Sequence, residues 1–259
     1  MTSYNKIGTT YDVTRKPDFR ITQKLIIELD KKAPATILDV GAGTGNYSYE
    51  LAKNGYDVIA VEPSDVMIRQ GKQHSNLTWR KGKAEQLPID DHSIDGIVCT
   101  LATHHFNDLS KSFNEMNRVL KHDGRIVIFT LDPRLCSKNT WLLDYFSELM
   151  EDAFNIHPPI ESFKSLLEKQ IKRPVNTKPF PLPHDLTDLF FFGGWARPEL
   201  YLNKNFQSGT SPLSKNPPDM VNRCLERLKT DLDNGNWDEK YGELLNKTEY
   251  ECGHLFVTV

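Results

Sequence analysis

A run of small residues, Gly41-Ala42-Gly43-Thr44-Gly45, stands between the apolar stretch 36–40 and a helix-compatible stretch that begins at Asn46. Glycines at alternate positions let a ligand approach the backbone without meeting a Cβ, and they permit positive φ. Asp39 lies just before this turn. Glu62 closes the next apolar run, about twenty residues downstream, where a carboxylate can accept both hydroxyls of a ribose. Strand, glycine turn, helix and downstream acid together point to a nucleoside-bearing ligand. The spacing is G-x-G-x-G with Asn46 in the sixth position, not the G-x-G-x-x-G of dinucleotide sites. It suits a ligand without a pyrophosphate, whose polar tail lies across the loop.

Two histidines, His104 and His105, follow the fourth apolar run. Imidazole titrates near neutral pH and could remove a proton from an enol, a hydroxyl or an amine. Alternatively, one of the pair packs against the helix that starts near Asp108 and only shapes the loop. Further on, Phe190, Phe191, Phe192, Trp195 and Tyr201 either wall an apolar substrate pocket or pack their own segment onto the sheet. The four cysteines are far apart, with no C-x-x-C, so no metal site is expected.

The elements that must hold these residues follow from periodicity. Apolar runs at 36–40, 57–62, 77–82, 94–100 and 125–131 read as strands, and helices are expected between them, including 18–32, 46–53, 65–73 and 108–121. Strands that alternate with helices predict an α/β, doubly wound sheet, with ligands at the carboxyl ends of its strands. Beyond Leu131 the rhythm changes. Ten of the fifteen prolines fall between Pro158 and Pro218, and eight of the thirteen phenylalanines between Phe146 and Phe206. Short helices are expected at 141–155, 160–171 and 217–233, with a final strand in the last residues returning to the sheet edge. The expected organisation is a ligand-binding core at 1–132, a substrate-side insertion or lid at 133–245, and a returning strand at 246–259.

Composition narrows the function. The chain has 259 residues, 32 Lys plus Arg against 35 Asp plus Glu, and a net charge of -3. That balance gives no bulk pull toward nucleic acid or an anionic membrane. No apolar run approaches the roughly 18–20 residues of a membrane helix, and the polar N-terminus has no signal-peptide core. A cytoplasmic location is expected, with no nucleic-acid partner and no membrane insertion.

Taken in order, these motifs resemble the class I S-adenosylmethionine-dependent methyltransferases, in particular the small-molecule branch with a ubiquinone/menaquinone-biosynthesis-like domain. ILDVGAGTGN (37–46), VEPSDVMIRQG (61–71), GKAEQLPIDDHSIDGIVC (82–99) and HHFNDLSKSFNEMNRVLKHDGRIVIF (104–129) carry the likeness, which fades after residue 131. The resemblance implies a mostly parallel, seven-stranded Rossmann-like sheet with an insertion after strand five, and S-adenosylmethionine as cofactor. It implies that Asp39, Gly41, Gly43 and Gly45 hold the methionine part, Glu62 the ribose, and Ala84 with Glu85 the adenine. Many relatives have Asp where this chain has Lys83, and lysine cannot accept from an adenine amino group. The lead-in YDVTRKPD (11–18) resembles a segment that folds over the cofactor, where Tyr11 caps the methionine end and Arg15 pairs with a carboxylate. His105 stands where histidine is common in the family, which favours a shaping role for it.

The expected activity is methyl transfer to an O, N or C atom of a small molecule. Alternatives on the same fold are a protein or nucleic-acid methyltransferase and a S-adenosylmethionine binder that transfers nothing. A nicotinamide oxidoreductase is disfavoured by Asn46. The Y-x-x-x-K pair Tyr49 and Lys53 comes too early in the chain for that role, and Asn216-Pro217-Pro218-Asp219 lacks the aromatic of the amino-methylating N-P-P motif.

Overall fold

Asp18 opens helix α1 (Phe19–Leu29) by accepting from the Arg20 amide at 2.9 Å, satisfying one of the orphan donors of a helix start. The computed structural model describes residues 15–136 and 140–259, so Tyr11 lies outside the described residues. After α1 come β1 (Thr36–Val40), α2 (Asn46–Lys53), β2 (Asp57–Glu62), α3 (Asp65–Arg69) and β3 (Leu77–Lys81). Then follow β4 (Ile94–Thr100), α4 (Leu109–Val119) and β5 (Leu120–Cys136).

The strands β1 to β5 pair in parallel, and β9 (Cys252–Thr258) runs antiparallel between β5 and β6 (Asn176–Pro179). The seven-stranded order is β3-β2-β1-β4-β5-β9-β6. Chain order turns back between β1 and β4, so a crevice opens at their carboxyl ends. Helices cover both faces. One apolar cluster joins α1 and α2 to Val58, Val98 and Phe129, and the other joins α4 to Leu38, Ile97 and Ile128. Parallel strands covered on both faces must be apolar nearly throughout, which is why DVIAVE and IDGIVCT read so plainly.

Three boundaries differ from the sequence expectation. The helix α3 stops at Arg69 rather than near Gln73; the Lys72 amide donates to the Thr44 carbonyl of the glycine turn at 3.0 Å and not back along the helix. The helix α4 ends at Val119 because Leu120 turns extended and pairs with Ile94. Gly124 therefore sits inside β5 and does not stop a helix. The final strand is not at the edge. All seven residues of β9 are buried between two neighbours.

The segment after β5 divides. Helix α5 (Trp141–Ile156) leads to α6 (Ile160–Ile171), which packs on α4 through a T-shaped Phe113–Phe163 pair with centroids 5.2 Å apart. Residues 160–179 thus complete the sandwich itself. The remainder lies over the opposite face: a small β7–β8 pair (Leu182–Pro183 with Glu249–Tyr250) and the helices α7 (Lys204–Gly209), α8 (Ser211–Lys215), α9 (Pro218–Asp233) and α10 (Asn236–Tyr241). Its fully buried Trp195, Tyr201 and Trp237, with Trp141 and Phe146 of α5, are continuous with the apolar cluster beneath α1 and α2. Among the described residues, no helix is long and apolar enough to cross a membrane.

Candidate active site

The glycine turn is stitched to β2 before any ligand arrives. The amides of Gly41 and Ala42 both donate to the Val61 carbonyl, at 2.9 and 3.2 Å. Gly43 has φ +60 and open space where a Cβ would stand, and its amide donates to Glu62 Oε2 at 3.0 Å. The other Glu62 oxygen, Oε1, accepts from the Ser64 amide at 3.0 Å. Two backbone donors therefore fix the carboxylate, and each oxygen keeps acceptor capacity for a ligand hydroxyl. Burial raises the Glu62 pKa, and the two amide bonds oppose that shift.

Asp39, at the end of β1, is buried and accepts from Ser48 Oγ at 2.5 Å. Burial first, and then the Glu62 charge, push it up to about 7, against the opposing Ser48 bond. A carboxyl held there ionises readily only when a cation comes to it.

Gly41, Gly43, Asp39, Glu62, Ala84 and Glu85 all border one cavity of about 370 Å³ at the carboxyl ends of β1 and β4. Ala84 is buried on its wall. Glu85 Oε1 accepts from the amides of Asn107 and Asp108 at 2.6 and 3.3 Å, so it also ties down the loop that starts α4. Exposed Lys83 borders the same cavity.

A second cavity, of about 500 Å³, adjoins the first. Arg15, Leu101 and His105 border both, so the two meet there. Leu101 takes φ +50, an uncommon conformation for a bulky residue, and its amide donates to the Phe129 carbonyl at 2.8 Å. Leu149, Met150, Ala153 and Phe190 to Phe192 supply an apolar wall. Four histidines also border this cavity: His104, His105, His157 and His254. The His104 ring lies 3.8 Å from that of His105 and 4.6 Å from that of His157, and His254 stacks on Phe190 at 4.7 Å. Burial, then the charge of Lys215 and other cationic neighbours, lower His105 to about 3; burial dominates for His157, at about 4, and for His254, at about 3. His104 is lowered by burial and then by His105. These rings are neutral at neutral pH and weak as bases.

Arg15 joins the walls together. Its guanidinium pairs with Asp188 through Nε–Oδ1 at 2.6 Å and Nη2–Oδ2 at 3.4 Å. Tyr47 of α2 donates to the same carboxylate at 2.9 Å, and Asn46 donates to the Arg15 carbonyl. The carboxylate expected to meet Arg15 is thus the chain's own.

Comparison with known proteins decides the family. The Methyltransferase domain family matches residues 38–128. A crystal structure of a putative methyltransferase from an antibiotic biosynthesis pathway of Anabaena variabilis is 45% identical, covers 95% of this chain and 98% of its own, and superposes with a TM-score of 0.92. This chain belongs to the S-adenosylmethionine-dependent methyltransferases. The methyltransferase is also 32% identical to demethylmenaquinone methyltransferase of Renibacterium salmoninarum over 125 residues, 48% of this chain and 53% of that protein. It aligns with about half the length of the curated relatives it matches. The S-adenosylmethionine complex of phosphoethanolamine N-methyltransferase 2 from Haemonchus contortus shares the fold at a TM-score of 0.65 and 14% identity.

The methyltransferase's first cavity fits the family cofactor, S-adenosylmethionine. An open face at Gly43, a carboxylate already oriented by two amides and a buried acid awaiting a cation match a ligand with a ribose and an ammonium group. Some expected residues stand elsewhere. Gly45 does not border the cavity; it has φ +76, and a Cβ there would come within 2.6 Å of Trp79. Its need for glycine comes from the turn and the Trp79 ring. Trp195 and Tyr201 are not on the second cavity's wall either. Trp195 donates to the Leu182 carbonyl at 2.9 Å, and Tyr201 donates to the Phe191 carbonyl, so both brace the Phe190–Phe192 wall from behind.

Asp132, inside β5, is buried and accepts from the Arg134 and Ile160 amides at 3.0 and 2.8 Å, binding the start of α6. Sequence reasoning missed His157, His254, Asp188, Tyr47 and Lys215 as members of the site. Tyr47 directly follows the glycine turn, the other four are isolated residues in segments without a motif, and only the contacts unite them.

Proposed function

We propose that this methyltransferase transfers the methyl group of S-adenosylmethionine to a small molecule held in the second cavity. The observation that carries this reading is the junction of two cavities at Arg15, Leu101 and His105. The acceptor's chamber is walled in large part by the insertion, which favours a small molecule over a polymer. A volume of about 500 Å³ matches a drug-sized molecule. The names of relatives point the same way, to demethylmenaquinone in one case and antibiotic biosynthesis in another.

S-adenosylmethionine supplies a methyl group on a positively charged sulfur. In the first cavity, Glu62 accepts from the ribose hydroxyls, Asp39 meets the methionine ammonium, and the Gly41–Gly43 backbone leaves room for the chain between them. Ala84 and Glu85 border the adenine. What this protein then contributes is alignment and exclusion of water, which can supply much of the rate of a displacement. The neutral imidazoles of His104 and His105 shape the junction and offer hydrogen bonds to the acceptor.

Titration calorimetry with S-adenosylmethionine, S-adenosylhomocysteine and NADH tests the cofactor assignment. The first two should bind and NADH should not. Glu62→Ala should weaken S-adenosylhomocysteine by about 1–3 kcal/mol, the cost of leaving buried polar groups unpaired. Binding of NADH alone would overturn the proposal.

A further inference from the structure

The two ends of the insertion meet at a pair of thiols. Cys136 closes β5 and Cys252 opens β9, so residues 137–251 leave and re-enter the sheet between them. The two cysteines are direct partners across the antiparallel β5–β9 pair. Opposed residues in such a pair have Cα atoms about 4.5–5.5 Å apart and side chains on one face. A disulfide spans Cα separations of about 4.4–6.8 Å, so bridging asks only for side-chain rotation and a small approach of the Cβ atoms. The strands are close here: a Cβ on Gly253 would stand 3.2 Å from the Cys136 amide nitrogen. Cys252 is wholly buried, Cys136 is 7% exposed, and neither is bridged.

The pair sits beyond an interruption of the ladder. Leu131 pairs with His254, the register then shifts, and Asp132 to Leu135 bulge out before Cys136 meets Cys252. The bulge holds the turn between α5 and α6. Asp132 accepts from the Ile160 amide at 2.8 Å, and Arg134 donates to the Phe154 and His157 carbonyls at 3.1 and 2.7 Å. On the facing strand, His254 stacks on Phe190 at 4.7 Å. His157, His254 and Phe190 border the second cavity, whereas the cysteines border neither cavity.

We propose that Cys136 and Cys252 form a redox site, which a peroxide closes into a disulfide that staples the neck of the insertion. Cys136, the more accessible, reacts first: its sulfur takes one peroxide oxygen as a sulfenic acid, and one water leaves. The Cys252 sulfur then displaces that hydroxyl, forming the S–S bond and a second water. Two S–H bonds and one O–O bond are lost; the sulfurs are oxidised and the peroxide is reduced. The bridge closes a loop that contains the whole insertion, and long loops restrain the unfolded chain most. Resting on the reading of the second cavity above, it also stiffens the acceptor's wall from behind.

The test treats the full chain with hydrogen peroxide, blocks the remaining thiols under denaturing conditions and maps the peptides. Cys136 and Cys252 should be recovered as one linked pair, lighter by two hydrogens, with Cys99 and Cys224 still open to blocking. The urea midpoint should rise by about 1 M, and dithiothreitol should return it. Cys136→Ser and Cys252→Ala should show neither linkage nor rise. The linkage is read on the unmodified chain, so a variant that does not fold leaves that result standing. Four thiols left free, a sulfinic acid at Cys136 without a linkage, a link to another cysteine, or a linkage that leaves the urea midpoint unchanged overturns the proposal. Amide exchange over residues 154–160 should slow on oxidation; a bridge that leaves it unchanged refutes the coupling to the chamber. S-adenosylhomocysteine should bind equally in both redox states. Its failure to bind in either refutes the cofactor assignment and leaves the disulfide standing.

Discussion

Arg15 Nε lies 2.6 Å from Asp188 Oδ1, a pair separated by 173 positions in the chain, of which Arg15 borders both cavities and Asp188 the first. Because Tyr47 of α2 also donates to Asp188, the lead-in, the glycine-loop helix and the insertion meet at one carboxylate. These contacts tie the wall of the first cavity to that of the second at Arg15.

Asp188→Asn should expose that coupling. The amide can still accept from Tyr47 but no longer neutralises Arg15, whose side chain is 15% exposed. Stability in urea should fall by about 1–3 kcal/mol, and affinity for S-adenosylhomocysteine should fall with it. A variant that unfolds at the same urea concentration and binds as before would show that the joint carries no strain.

Asp39 should make cofactor binding depend on pH. With its pKa raised to about 7, it is largely protonated below that value and cannot neutralise an ammonium. Affinity should climb with pH up to about 7 and then level off, and binding below 7 should release a proton, visible by calorimetry in buffers of different ionisation enthalpy. The linkage has a second face. A carboxyl whose folded pKa lies above its unfolded value of 3.8 favours folding at low pH, and this advantage is lost as pH rises through 7. Asp39→Asn should thus be more stable than the parent at pH 8 while binding cofactor poorly, a trade of stability for function. Equal stability at pH 8 would argue that Asp39 is well solvated.

The histidine cluster predicts the opposite slope. His105, His157 and His254 have folded values of about 3 to 4, below the ordinary 6.5. Their contribution to stability is full above pH 6.5 and drains away as pH falls toward 4. The urea midpoint should decline across that window, and His157→Asn should make the decline shallower whatever it does to the midpoint at pH 8. An identical slope in the variant would rule out His157 as a buried neutral imidazole.

Two glycines separate binding from folding. Gly45→Ala forces a Cβ onto the Trp79 ring at positive φ, and its main effect should be a lower melting temperature. Gly43→Ala meets no protein atom within 4 Å, so it should lose S-adenosylhomocysteine affinity out of proportion to its smaller stability loss. Equal losses of binding in the two variants would place Gly45 on the cofactor after all.

Much of the core was legible from local pattern. The run TILDV, the glycine turn, DVIAVE and the acid at its end declare strand, turn, strand and a candidate ribose-binding acid within about thirty consecutive residues, because parallel strands buried on both faces read as continuous apolar runs. Even in the insertion, the helix at 160–171 coincides with its sequence expectation, since its apolar residues Phe163, Leu167 and Ile171 recur at helical spacing. Boundaries were less legible where a distant residue takes a backbone group, as the Thr44 carbonyl takes the Lys72 amide beyond α3.

The order of strands and the identity of the binding turn follow from the chain's own local preferences, because periodicity and glycine act over a few neighbours. The acceptor chamber does not. Asp188, His157, His254 and Lys215 carry no local signal, and Phe190 and Trp195 look alike in the sequence although one borders the cavity and the other braces it. Those distinctions depend on which side chains the insertion brings together across the sheet, a long-range packing outcome that no short window of residues contains.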